Sequence, residues 1–470
     1  MKRLPGKEAL GLIAIVAVLL SVSLTGLGFS SWLRLDRDSG LPLPAEDRQS
    51  SPVTPVPGGR VLHVDRERGS ERGTGGVQDP FDSIAQAIQV VRPGDRVEIA
   101  SGVYREQLTL KRSGTPDQPI ILAAASGADV RIEGAVVTLD ADYITLEGIT
   151  VEGAQDKERG GLFVVGGTGI TLRHITARGN EGAGVRVKPI ERPVTRLQII
   201  GGVFSANDGA GIAATGELEL RDLLIDSVVA HDNDGDGIQV ERATNVRILH
   251  STTTKNGEGD ERNGVFLKEV EDALVYGLHT QDNGHNGLAL RSVFGVTVAR
   301  SISVKNDHHG FDSIERSRSV SYINNVAYAN GDDEEDKGLY VTATDGIRIV
   351  NNIFALNAGD QLAFSDEGGP VVGIFSDHNL FWRADGERLV RWFDAYFDDL
   401  ASYQAASGLD RSSLQAEPGF VNASDRDFRL SATSPALDAG APVEGVIGRY
   451  CGQAPDIGAV EQACGAAEVR

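Results

Sequence analysis

Cysteine is almost absent from this 470-residue sequence: Cys451 and Cys464 are the only two, and both lie near the C-terminus. A disulfide framework for the main body is therefore excluded, and an oxidised pair would staple only the tail. Aromatic residues are scarce at 6% and methionine occurs once, so any core is built from small aliphatic side chains, which the 40% hydrophobic content supplies. Basic residues are outnumbered, 45 Lys and Arg against 67 Asp and Glu, and the net charge of -22 repels nucleic acid and other polyanions. An acidic polymer would have to be met by a local basic site or by bridging cations. Proline, at 17, is far below glycine, at 57, with no collagen period, a balance that fits turn-rich β-structure.

Charge is missing altogether from Ala9 to Leu33, behind Lys2, Arg3 and Lys7. The run is long enough to span a bilayer and predicts export. Residues 1–35 read as a signal anchor or a signal peptide; Ser21-Val22-Ser23 makes a poor cleavage site, which favours an uncleaved transmembrane anchor. Residues 36–59 carry Pro42, Pro44, Pro52, Pro55 and Pro57 among polar residues, the composition of a semi-extended linker. Residues 60–470 then form one domain.

From about residue 140 that domain repeats. Asn180, Asn207, Asn233, Asn256, Asn283, Asn306, Asn330 and Asn357 recur every 23 to 27 residues, one per coil. Their side chains are expected to ladder from coil to coil. A glycine follows each of the first seven (Gly184, Gly211, Gly237, Gly264, Gly287, Gly310, Gly338), suited either to a left-handed backbone or to close approach between turns. After the glycine, apolar and polar residues alternate, as in Ile238/Val240 and Val265/Leu267, the pattern of a half-buried strand. The turns Asn256 to Gly264 and Asn330 to Gly338 are longer than the rest and rich in charge. Upstream, Asp79 to Ser83 precede Ile84, Ala87, Ile88 and Val91 at helical spacing, which predicts a short helix capping the open end. A second helix is predicted over Asp399 to Ala406, inside a C-terminal cap that starts near residue 381. The fold is thus expected to be all-β, a right-handed parallel β-helix (solenoid) with a cap at each end.

In such a solenoid the outward positions of successive strands stack. Arg186 and Lys188, Gln239 and Glu241, Phe266 and Lys268, Ala289 and Arg291, Asp312 and Ile314, Tyr340 and Thr342 would form one face. Asp236, Asn263, Asn286, His309 and Lys337, each just before a glycine, make a neighbouring column, with Arg262, His285, His308 and Asp336 one residue further back. Lys268, Arg291, Arg262 and His285 are the candidates to bind a sugar carboxylate; His308, His309, Tyr340 and Lys337 are the candidates to move protons. Together these are the parts of a β-elimination. For each residue alone the plainer explanation is a solvated face or turn geometry. Asn233-Asp234-Gly235-Asp236-Gly237 has the composition of a calcium loop but lacks the glutamate an EF-hand needs, and Asp332 to Asp336 is an acidic insert that could gather hard cations, although keeping a long loop soluble is the plainer reading.

Asp79-Pro80-Phe81, Pro93-Gly94-Asp95, Gly102-Val103-Tyr104-Arg105-Glu106 and Ser113-Gly114-Thr115-Pro116 resemble the start of pectate-lyase-like parallel β-helix proteins. The tail segments Glu417 to Phe420, Asp427 to Leu430, Ser434 to Asp438 and Asp456 to Ala459 resemble the end of extracellular polysaccharide lyase relatives. Between them, Asn306-Asp307-His308-His309-Gly310-Phe311-Asp312 is similar to the Asn-x-Asp-Asp-Gly-aromatic-Asp motif of calcium-dependent, lysine-base pectate lyases. The resemblance implies calcium as a cofactor, with Asp312, Asp307 and Asn286 as the positions nearest to metal ligands. His308 and His309 stand where that motif has carboxylates, and Tyr340 replaces the lysine one coil later, so a histidine base with a tyrosine acid is the scheme the residues allow. The expectation is an exported polysaccharide lyase acting as a monomer on an acidic, uronate-containing polysaccharide. The rival readings are a uronate C5-epimerase or glycoside hydrolase on the same fold, and a non-catalytic glycan-binding protein of the cell envelope.

Overall fold

The computed structural model describes residues 58–257, 262–384, 386, 388–446 and 450–462. The expected N-terminal segment 1–35 and most of the linker lie outside the described residues. Among the described residues no helix is long and apolar enough to cross a membrane. One compact unit, 51–442 with 449–470, contains the solenoid, a parallel β-helix of about 11 turns.

Each coil contributes to three parallel ladders. The first runs from Val61–Val64 through Arg96–Ile99 and Ile120–Ala124 to Val372–Asp377, and the second from Gly102–Tyr104 through Val130–Glu133 to Leu380–Trp382 and Leu414–Gln415. The third starts at Leu108–Leu110 and ends at Val390–Trp392. Coiling therefore begins well before residue 140. The early coils carry the alternating apolar residues Val97/Ile99 and Ile120/Leu122 but lack the asparagine that marks later ones. Inward residues such as Ile248, Val275 and Val298 are fully buried and fill a single column of aliphatic side chains.

The asparagines form the expected ladder at the turn between the second and third strands. Asn180 Nδ2 donates to Asn207 Oδ1 at 2.8 Å, and the same bond repeats down the series through Asn283 to Asn306 at 2.8 Å and Asn330 to Asn357 at 2.9 Å. Gln361 Oε1 closes it, accepting from Asn357 Nδ2 at 2.9 Å. The residue before each asparagine, including Asp232, Lys255, Asp282 and Lys305, is left-handed with φ between 50 and 61°. The paired glycines are not left-handed: they are needed for close approach. A Cβ on Gly237 would meet Gly264 O at 2.6 Å and Asn256 Nδ2 at 2.8 Å. A second ladder, Asn325 to Asn352 to Asn379, holds the turn between the first and second strands at 3.0 and 3.1 Å.

Helix α1, Ile84–Val90, is capped by Ser83 and by Glu106, whose carboxylate accepts the Ile84 and Ala85 N–H groups at 2.9 Å each. Its Ile84 and Ala87 are buried in the core of the first coils. Helix α2, Leu400–Ser407, starts at the N-cap Asp399 and ends at Gly408 with φ 74°. Cys451 is disulfide-bonded, and Cys464 lies outside the described residues.

Candidate functional site

The third ladder places Phe266, Ala289, Asp312, Tyr340 and Ala363 in consecutive register, with Lys268 beside Arg291 two residues along. The columns read from the sequence are therefore real neighbours. The residues just before the glycines are linked in turn: Asn263 N–H donates to Asp236 Oδ1 at 2.7 Å, His309 N–H to Asn286 Oδ1 at 3.0 Å, and Lys337 N–H to His309 Nδ1 at 3.1 Å.

Three imidazoles and a phenol come together on this face. His285 stacks on His308 with centroids 4.4 Å apart and planes 7° from parallel; His308 lies 3.8 Å from His309, and His309 5.1 Å from the Tyr340 ring. Hydrogen bonds fix which nitrogens carry protons. His309 Nδ1 accepts a backbone N–H, and burial with the neighbouring His308 and Lys337 charges holds this ring well below the usual histidine pKa, so it is neutral with its proton on Nε2. Asn286 Oδ1 already accepts the His309 N–H, so the His308 Nδ1 that shares it at 2.9 Å is a donor. His308 Nε2 in turn faces Asp336 Oδ1 at 3.2 Å. Asp336 Oδ2 accepts the Asp332 and Asp333 N–H groups, so the acidic loop folds around this carboxylate and a doubly protonated His308 satisfies both of its acceptors. His285 donates through Nδ1 to Asn263 Oδ1 at 3.2 Å; burial and the His308 and Arg291 charges push its pKa down to about 4, leaving Nε2 as an acceptor.

The other candidates are placed differently. Lys337 is 2% exposed, and its ammonium is turned to Glu334 O at 2.9 Å and Asp360 at 3.6 Å, a buried ion pair. Asp312 is also 2% exposed; its oxygens accept Leu290 N–H at 2.8 Å and Asn286 Nδ2 at 3.0 Å, while burial raises its pKa to about 7. Arg291 lies over the Phe266 ring at 5.5 Å and reaches Glu315 at 3.6 Å. Lys268 is half-buried beside it, Arg262 is exposed, and Asp307 is exposed.

Calcium takes six to eight oxygen ligands. Here the motif presents two imidazoles, and the Asp312 oxygens both receive protein donors. The Asp236 carboxylate of the glycine-rich loop likewise accepts two bonds from Asn263 and is buried. This donor set does not fit a hard cation. Among the described residues His308, His309 and Asp336 bring ligand atoms within 4.8 Å of one another, yet His309 would have to lose the Lys337 N–H bond to ligate through Nε2.

Two features of this face escaped the sequence reading. Asp336 holds His308, and the third ladder continues from Tyr340 through Ala363 to Arg391, which stacks on Tyr396 at 5.6 Å. Gln361 stands where the glycine marker would be, so the register beyond Tyr340 had no signal.

Comparison with known proteins gives a match of residues 63–345, more than half of the chain, to the model for the Pel9A-like right-handed β-helix region. "Uncharacterized protein YwoF" of Bacillus subtilis (strain 168) is 24% identical over 465 residues, covering 80% of this chain and 92% of that protein. The crystal structure of pectate lyase Pel9A superposes with a TM-score of 0.53 at 20% identity, covering 86% of this chain and 96% of that one.

Proposed function

Because the chain belongs to the Pel9A-like right-handed β-helix family, we propose that it is an exported polysaccharide lyase that cleaves a uronate-containing polymer by β-elimination. The observation that carries this reading is the cluster of His285, His308 and His309, in the turns that lead into the third ladder, with Tyr340 and Arg291 on its strands. Pectate lyase Pel9A, by its name, acts on an acidic polymer on the same fold.

Arg291 and Lys268 pair with the sugar carboxylate, and the Nε2–H of His309 adds a donor. Neutralising that carboxylate stabilises the negative charge that develops when the adjacent carbon loses its proton. His309, fixed as a donor, is not the base; Tyr340 Oη takes the proton. The electrons of the broken C–H bond form the carbon–carbon double bond, the C–O bond to the leaving sugar breaks, and the leaving oxygen takes the proton back from Tyr340. No step uses calcium or the buried Lys337. The N-terminal segment anchors the solenoid outside the cytoplasm.

The test is incubation of the full chain with polygalacturonate, alginate and glycosaminoglycans, reading the ultraviolet absorbance of the unsaturated sugar. A rise on one polyuronate supports elimination. Uronate inversion without cleavage, or new reducing ends without the double bond, would replace it by an epimerase or a hydrolase.

A further inference from the structure

We infer that the polymer taken by this site carries its uronates singly, separated by neutral sugars, and that the acidic loop Asp332 to Asp336 disfavours a fully charged polyuronate. This rests on the elimination proposed at Tyr340 and names the substrate class for it. The receptor for a carboxylate is one pair of side chains. Lys268 and Arg291 stand in register on adjacent strands; among the described residues Lys268 makes no ion pair, and Arg291 Nε is buried without a hydrogen-bond partner. The column offers no second cation beside them, because its next residues are Glu241 on one side and Ile314 on the other. Arg388 and Lys337 are already paired, with Glu334 at 2.6 Å and with Asp360 at 3.6 Å. The exposed Arg262 places its charge against the buried Asp236.

Acids stand on both sides of this receptor. Glu315 lies 3.6 Å from Arg291, and Glu241 follows Lys268 in the column. On the other side the connection runs through the imidazoles: the Arg291 charge acts on His285, His285 stacks on His308 at 4.4 Å, and His308 faces Asp336 at 3.2 Å. The acidic loop is therefore two rings away from the receptor, and it is fixed there. Asp336 accepts the Asp332 and Asp333 N–H groups at 2.8 and 3.1 Å, its carbonyl accepts the Gly359 N–H at 2.8 Å, and Glu334 is tied to Arg388. Asp332, Asp333 and Glu335 are exposed and make no ion pair among the described residues. Screening reaches about 8 Å at physiological salt, so a uronate adjoining the bound one meets these carboxylates only partly screened. Contact with one carboxylate and repulsion of its neighbours together select a chain whose adjoining sugars are neutral. The net charge of -22 acts in the same direction on a dense polyanion.

The experiment compares the full chain with the triple variant Asp332→Asn, Asp333→Asn and Glu335→Gln, which keeps the size of each side chain and is first checked for an unchanged circular-dichroism melt. Binding is read as retardation in gels containing polygalacturonate or alginate, where every sugar is charged, or hyaluronan or rhamnogalacturonan, where uronates alternate with neutral sugars. Initial rates of double-bond formation are followed on the same four polymers. The wild type should be retarded more by an alternating polymer than by either fully charged one, and added salt should narrow that gap without any substitution. The triple variant should gain on the order of ten-fold in affinity for the fully charged polymers and less than about two-fold for the alternating ones. Retardation that is equal in all four gels, absent from all, or strongest with a fully charged polymer would overturn the selection, as would a variant that shifts both classes alike. A double bond formed fastest on polygalacturonate or alginate would overturn the selection and leave the elimination at Tyr340 standing. Charge-selective retardation without a double bond on any of the four would leave the selection standing and overturn the elimination.

Discussion

Removing one rung of the asparagine ladder should cost a large part of this protein's stability. Asn306 is 1% exposed; its Oδ1 accepts from the Asn283 N–H at 3.2 Å and from Asn283 Nδ2 at 2.8 Å, and its Nδ2 donates to Asn330 Oδ1 and to Ser303 Oγ at 2.9 Å each. In Asn306→Ala the Asn283 amide keeps its bond to Thr253 O, and Asn330 Oδ1 keeps the Asn306 N–H. The Asn283 backbone N–H loses its acceptor, and a buried orphan of that kind costs about 1–3 kcal/mol. The side-chain bonds that are lost add roughly 1 kcal/mol on each flank, so the sum is about 3–5 kcal/mol. Asn306→Asp should be no better, because it restores the acceptor but sets a buried carboxylate against Asn330 Oδ1. Urea unfolding followed by circular dichroism checks the total, and amide hydrogen exchange checks that the loss is centred on the neighbouring coils, as nearest-neighbour packing in a solenoid requires. A loss below about 1 kcal/mol, the cost of one ordinary hydrogen bond, would refute the view that the ladder holds the turns together.

The buried Lys337–Asp360 pair gives a second test: Lys337→Met should destabilise by about 3–5 kcal/mol because it leaves Asp360 uncompensated, and Lys337→Met with Asp360→Leu should recover much of it in the same unfolding assay. His285 is neutral in the folded protein down to about pH 4, whereas in the unfolded chain it takes up a proton at its ordinary value of about 6.5. Stability from this group is therefore complete above about 6.5 and falls as pH drops toward about 4. Asp312, raised to about 7, tilts the other way across the same window, so the readout is the difference in melting temperature between the wild type and His285→Gln, which should shift in favour of the variant as the solution is acidified. If His309 is a donor to the developing charge, His309→Ala should lower kcat on the order of 10²-fold or more with a smaller change in KM, read by steady-state kinetics on the cleaved polyuronate.

Much of this architecture is visible in the sequence because each coil repeats a physical requirement. The asparagine has to reach its copy in the next coil, and the glycine has no room for a Cβ, so both recur at fixed spacing. The first coils were harder to see because their turns have no such ladder. The second asparagine ladder was hidden for a related reason: in earlier coils Ser251 and Ser301 take its place, accepting the Val228 and Leu278 N–H groups. At the site, the columns follow from strand alternation, and the structure keeps them. What alternation cannot give is proton placement. His309 becomes a fixed donor only because the Lys337 N–H of the next coil meets its Nδ1, and Lys337 is removed from the face because its ammonium turns inward to Asp360. Both contacts join residues from different coils.

The most direct test of the account is the initial rate of double-bond formation on the responsive polyuronate by the wild type and by Tyr340→Phe, each with and without a calcium chelator. The account predicts a wild-type rate that the chelator leaves unchanged and a Tyr340→Phe rate at background. A rate that survives in Tyr340→Phe, or one that the chelator abolishes, would contradict it.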